Sequence, residues 1–134
     1  MNEITTGIVK EISVNVEKSM LAVNVGSGTL EVLATPVVAA LMEKAACELI
    51  QPYLPEGITT VGTMISVNHM SATPLGARVT AEARLTDIAD RKYTFELTAR
   101  DDAGLIATGK HERFTVKSER FIEKTNAKLN KKTE

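Results

Sequence analysis

The chain has 134 residues, enough for one domain with a sizeable core and too few for two comfortable ones. Hydrophobic residues make up 43% and charged residues 25%, which is the balance of an ordinary globular protein and excludes a disordered one. Sixteen basic against seventeen acidic residues leave a net charge of -1, and with two Tyr, three Phe and no Trp nothing favours nucleic acid.

Cys47 is the sole cysteine, so no internal disulfide forms, and with only His69 and His111 as histidines a Cys/His zinc site is not expected. The segment Met1-Asn2-Glu3-Ile4-Thr5-Thr6 lacks the basic and apolar regions of a signal peptide. The longest strongly apolar run lies between Glu31 and Glu43, short of a membrane span. A reduced, cytoplasmic setting without membrane or nucleic-acid partners is therefore expected.

Residues 6 to 16 alternate loosely through Ile8, Ile12, Val14 and Val16 and read as a first strand. Leu21 to Val25 reads as a short extended piece closed by Gly26-Ser27-Gly28. From Pro36 to about Gln51 the pattern predicts the main helix, with Thr35 as N-cap, Pro36 at the first helical position, and Pro52 and Pro55 ending it. Thr59 to Ser71 alternates as a strand, and Thr73-Pro74-Leu75-Gly76 turns the chain. Val79, Ala81, Ala83 and Leu85 then alternate with polar residues, as do Tyr93, Phe95, Leu97 and Ala99 after the Asp90-Arg91 turn. Asp101-Asp102-Ala103-Gly104 leads into a last strand from Leu105 to Val116. Ser118 is placed to cap a final amphipathic helix with a charged, solvated end at Lys131-Lys132.

A strand, a helix and four strands joined by short turns predict an α+β domain with antiparallel neighbours and one helix to cover the sheet. An antiparallel β-sheet wrapped around a central α-helix, followed by a short C-terminal helix, is the hot-dog architecture. Residues 1–117 form the domain and 118–134 a charged helical tail. A single such sheet leaves an edge exposed, which pairing with a second copy would cover.

Three residues carry candidate chemistry: the Thr35 hydroxyl, the Glu43 carboxylate and the His69 imidazole, together the parts for acyl transfer. On a helical wheel Glu43 lies about 80–140° from Lys44, Glu48 and Gln51, the solvated stripe, and one turn from Ala39, Ala40, Ala46 and Cys47. It either rims the core as an ordinary helix glutamate or lines a pocket. His69 shares the strand face of Val61, Ile65 and Val67, as a hydrogen-bonded structural histidine or a proton shuttle. Thr35 is a helix cap or a reactive hydroxyl. Gly62 inside a strand marks a bulge or a close approach of a ligand to the backbone. Gly26-Ser27-Gly28 lacks the remaining residues of a phosphate loop, and Cys47 reads as a small core residue.

The segments Val25-Gly26-Ser27-Gly28, Ala34-Thr35-Pro36, Glu43, Leu54-Pro55-Glu56-Gly57, Thr59-Thr60-Val61-Gly62, Val67-Asn68-His69, Pro74-Leu75-Gly76-Ala77 and Ala83-Arg84-Leu85-Thr86 resemble the fluoroacetyl-CoA thioesterase-like family. This is a branch of the hot-dog thioesterases, and the resemblance spans roughly Thr6 to Val116. It implies a homodimer that hydrolyses a small acyl-CoA to the free acid and coenzyme A through Thr35, Glu43 and His69. Gly62 is implied beside the thioester carbonyl and Arg113 in contact with the substrate or coenzyme. No metal or organic cofactor is implied, coenzyme A being part of the substrate. Whether Thr35 attacks or only positions water or the carbonyl stays open. Few aromatics are available to build a selective lid, and Val25 to Ala34 holds none, so a small acyl group is better supported than fluoroacetyl itself. A non-catalytic acyl-CoA-binding module and a hot-dog hydratase or dehydratase are the alternative readings.

Overall fold

The computed structural model describes residues 3–130, so the Lys131-Lys132 end lies outside the described residues. Five strands, β1 (Val9–Asn15), β2 (Ile58–His69), β3 (Arg78–Ala89), β4 (Lys92–Asp101) and β5 (Gly104–Lys117), form one antiparallel sheet in the order β1-β3-β4-β5-β2. Helix α2 (Thr35–Ile50) crosses one face, after a four-residue helix α1 (Ala22–Val25); α3 (Ser118–Asn126) follows β5. This is the expected hot-dog arrangement.

The strand alternation explains the core. Val79, Ala81, Ala83 and Leu85 of β3 and Phe95, Leu97 and Ala99 of β4 are all buried on the face that meets α2. From the helix come Val38, Met42, Ala45, Ala46, Leu49 and Ile50. Alanines on both surfaces let the helix axis approach the sheet, while Phe95 and Met42 fill the remaining volume. Each fully buried Leu, Met or Phe side chain here contributes about 1.5–3 kcal/mol by removing apolar area from water.

Three local expectations are corrected. Leu21–Val25 is not extended: Leu21 makes a bridge to Leu33, and Ala22–Val25 turns helically to Gly26, whose φ of 91° closes the turn. Four residues are too few to display a helical period. Neither Thr35 nor Ser118 caps its helix. The N-cap positions are Ala34 and Lys117, without side-chain cap bonds, and Thr35 and Ser118 are the first helical residues. Pro36 therefore stands one place further in, still among the positions whose N–H has no helical partner.

The register of β2 against β5 shifts between Gly62 and Met64. One extra residue in a strand reverses which face its side chains take. Thr60 and Gly62 therefore share the helix-facing side with Ile65, Val67 and His69, and Val61 turns to the opposite face, against the simple alternation expected. Thr60 is buried and bonded to Arg113, which also faces the interior. β2 is an edge strand of 12 residues, open on the side away from β5.

Candidate functional site

Thr35 at the start of α2 and His69 at the end of β2 meet directly: Thr35 Oγ1 lies 2.7 Å from His69 Nδ1. The hydroxyl is free for this contact because it does not cap the helix. The second ring nitrogen, Nε2, is buried and has no hydrogen-bond partner among the described residues. When the hydroxyl donates to Nδ1, the proton of the neutral ring sits on Nε2 and calls for an acceptor. A cavity of about 250 Å³ adjoins the pair, with Ala22, Ser27, Val32, Leu33, Met70 and Ala72 in its wall. These are small or aliphatic residues, and no aromatic ring narrows the space.

Glu43 is elsewhere. It lies two helical turns and ~12 Å of rise beyond Thr35, half-buried and among a different set of partners. A Cβ built on Gly62 would stand 2.9 Å from Glu43 Oε2, 3.1 Å from His111 Cε1 and 3.4 Å from Arg113 Nη1. Glycine leaves room here for the carboxylate, imidazole and guanidinium that crowd the backbone. The chain brings Thr35 and His69 together, and Glu43, Gly62 and Arg113 together, but no hydrogen bond links the two groups. Gly62 lies towards the middle of β2 and His69 at its end, ~20 Å apart along the strand.

The Arg113 side chain is held rigidly. Its Nε donates to Thr60 Oγ1 at 2.8 Å, Nη2 to the Thr60 carbonyl at 3.0 Å, and Nη1 lies 3.2 Å from His111 Nε2. His111 is fully buried, and its Nδ1 lies 2.7 Å from the Met64 carbonyl at the bulge. Nδ1–H therefore donates to Met64 and Nε2 accepts from Arg113, which fixes one neutral tautomer. Burial lowers the His111 pKa below its usual value; the Met64 bond opposes this, neighbouring Arg113 adds to it, and Glu43 and Glu112 oppose it. His111 and Thr60 did not stand out in the sequence, because alternation alone does not reveal that a polar pair is buried and satisfied. Among the described residues no His, Cys, Asp and Glu set of three or more is grouped to hold a metal ion, and Cys47 is half-buried rather than part of the deep core.

Residues 16–119 match the profile of the fluoroacetyl-CoA-specific thioesterase family. The fluoroacetyl-CoA thioesterase of Streptantibioticus cattleyicolor is 39% identical over 103 residues, covering 77% of this chain and 71% of that protein. The chain belongs to the fluoroacetyl-CoA-specific thioesterase family. A solved structure of a fluoroacetyl-CoA thioesterase superposes with a TM-score of 0.87 at 30% identity, covering 99% of this chain and 100% of the other. A further structure of that enzyme, with fluoroacetate and coenzyme A bound, gives 0.84 at 30% identity over 88% of this chain and 99% of the other. A thioesterase superfamily member from Thermus thermophilus shares the fold, with a TM-score of 0.87 at 24% identity over 97% and 96% of the two chains. The protein is thus a hot-dog hydrolase of acyl-CoA thioesters, and the readings as a hydratase or a silent binding module give way. No helix among the described residues is long and apolar enough to cross a membrane.

Proposed function

We propose that this thioesterase works as a homodimer whose two active sites are each assembled from both copies. The observation that carries the reading is the Thr35–His69 contact at 2.7 Å with Nε2 buried and unpartnered. A nucleophile, a base and a group that orients the base form one functional unit, and the pair lacks only the third member. Glu43 of the same chain is too far along α2 to supply it. The 12-residue edge strand β2 supports a solution. Pairing it antiparallel with its own copy about a two-fold axis at Ser66, with Thr63 bulged out of the count, sets His69 of one copy opposite Gly62 of the other. Both residues are on the helix-facing side because of the bulge, so the partner's Glu43 approaches His69. The same pairing removes the open edge.

In this arrangement His69 takes a proton from the Thr35 hydroxyl, or from a water that Thr35 holds, and Glu43 stabilises the imidazolium. The Gly62 backbone and the fixed Arg113 guanidinium lie where a thioester carbonyl gains negative charge. The proton on His69 then passes to the leaving coenzyme A thiolate. Where water attacks, the free acid forms at once. Where Thr35 attacks, a water deprotonated by His69 then cleaves the acyl-threonine ester, releasing the acid and returning the proton to the Thr35 oxygen. These steps require no metal or organic cofactor. The small cavity without aromatic walls supports short acyl groups, with acetyl and fluoroacetyl both accommodated. A coenzyme A substrate and an unpaired Cys47 are in keeping with a cytoplasmic location.

Thiol release from short acyl-CoAs, followed colorimetrically, tests the reading. His69→Ala and Glu43→Gln are each expected to lower kcat by about a thousandfold or more. Turnover near wild type in both variants would sink the site assignment, and loss of water from a 3-hydroxyacyl-CoA without thiol release would return the hydratase reading.

A further inference from the structure

A second cavity, of about 540 Å³, opens where the sheet ends against α3, and four cations line it: Arg91, Lys117, Arg120 and Lys124. No acidic side chain shares its wall. The chain as a whole carries a net charge of -1, so this is a local concentration of positive charge rather than general basicity. None of the four takes part in the ion pairs of the described residues, which are Lys92–Glu112 and Arg100–Glu11. Arg91 is fixed in place: its Nε and Nη2 donate to the Thr115 carbonyl at 3.3 and 2.9 Å. Arg120 and Lys124, four residues apart, share one face of α3. Phe121, 38% exposed, adds an aromatic surface to the same wall.

We infer that this cleft is the subsite for the nucleotide end of the coenzyme A thioester, its phosphates among the four cations and its adenine against Phe121. The inference rests on the thioesterase reading above and extends it. The β2–β5 register supplies the distance. Gly62 stands opposite Arg113 and Ile58 opposite Lys117 on the same strand pair, so the cleft begins ~13 Å from Gly62. The pantetheine arm between thioester sulfur and diphosphate has as many bonds as about four residues of extended backbone, ~15 Å. An acyl group beside Gly62 therefore places the diphosphate at the cleft and the 3′-phosphate within it. Phosphate oxygens bound by Arg and Lys make charge-assisted hydrogen bonds, whereas a neutral or cationic ligand finds no acceptor among the lining side chains that carry charge. The C-terminal helix thereby becomes part of the binding surface, as one wall of the cleft.

Charge reversal on the full-length protein, R120E combined with K124E, tests this. Both residues are exposed, and a thermal melt confirms that the variant folds. Acetyl-CoA and S-acetylpantetheine, which lacks the nucleotide, are compared as substrates, and binding of free coenzyme A and pantetheine is measured by calorimetry. The wild type should prefer the nucleotide-bearing partner of each pair. The double variant should lower the ratio of kcat/KM for acetyl-CoA over S-acetylpantetheine by about tenfold or more, through KM, and weaken coenzyme A binding to match. Added salt should reduce the wild-type preference. An unchanged ratio and unchanged coenzyme A affinity overturn the cleft while leaving the thioesterase intact. Coenzyme A binding that depends on the two cations, with no thiol released from any acyl-CoA, upholds the cleft and overturns the hydrolase reading.

Discussion

The two ends of α2 carry different kinds of chemistry. At its N-terminus Thr35 touches His69 across a small, partly open cavity, and one imidazole nitrogen is left wanting a partner. Two turns on, Glu43 faces Gly62 within a packed network in which Arg113 is bonded to Thr60 and His111. The first end leaves a buried ring nitrogen without a partner; at the second, the Arg113 and His111 side chains are held by hydrogen bonds. On the reading proposed above, the contrast teaches that a single chain separates the moving proton from the charges that stabilise it. In the dimer proposed above, a second copy seated on the free edge of β2 joins them.

The largest effect expected is one of complementation. Mixing inactive His69→Ala with inactive Glu43→Gln, unfolded and refolded together, should restore roughly a quarter of wild-type activity, because half the dimers are mixed and each has one intact site. No recovery would confine the chemistry to one chain and break the contrast between the ends. Next in size, Thr35→Ala should lower thiol release by about a hundredfold or more, with Thr35→Ser retaining most of the activity. Because the hydroxyl is not a helix cap, the alanine variant should cost well under the ~1 kcal/mol of a lost cap in denaturant titration. A full cap-sized loss would mean that the hydroxyl serves the helix after all.

Two glycines sharpen the comparison further. A Cβ on Gly109 would stand 2.3 Å from the Ser66 carbonyl oxygen, a backbone atom, so Gly109→Ala should destabilise the fold by about 1–3 kcal/mol through forced strand separation. At Gly62 the nearest atom is the end of the Glu43 side chain at 2.9 Å, which can swing aside. Gly62→Ala should therefore leave the melting temperature nearer to wild type while lowering kcat, as Glu43 is displaced. Equal loss of stability in the two variants would contradict a functional constraint at Gly62.

The smallest effect concerns pH. His111 has a folded pKa below its unfolded value, so between the two the unfolded chain binds more protons and stability rises with pH. Its contribution is complete above the usual value of 6.5 and is lost as pH falls through the lowered folded value. The charged groups that act on the ring are Arg113, Glu43 and, from the opposite face of the sheet, Glu112. His111→Gln, whose carbonyl can still accept from Arg113, should flatten this part of the pH–stability curve below pH 6.5. An unaltered curve would remove His111 as the titrating group.

The alternation of β3 and β4 was fully legible in the sequence, because each strand has one buried face and carries its period in apolar residues. The phase of Glu43 was legible for the same reason: Lys44, Glu48 and Gln51 mark the exposed stripe and are exposed in the fold. Legibility fails where one residue changes the phase or where polar groups satisfy each other. The bulge after Gly62 sent Thr60 inward and Val61 outward, although the glycine itself had marked the place. Gly109, His111 and Arg113 occupy the inward side of β5 without an apolar residue among them, so no hydrophobic period announces it. The trio of Thr35, Glu43 and His69 could be named from residue types and resemblance, but its division between two places depends on element lengths in space.

The bulge also constrains how this gene can drift. Substitutions between Thr59 and His69 act one side chain at a time, but losing or gaining a single codon there acts on all that follow. Deleting Thr63 would straighten β2 and turn Gly62 away from Glu43, or else turn His69 away from Thr35. Relatives that keep this chemistry should therefore vary along this strand at positions other than Thr60, Gly62 and His69, and hardly at all in its length.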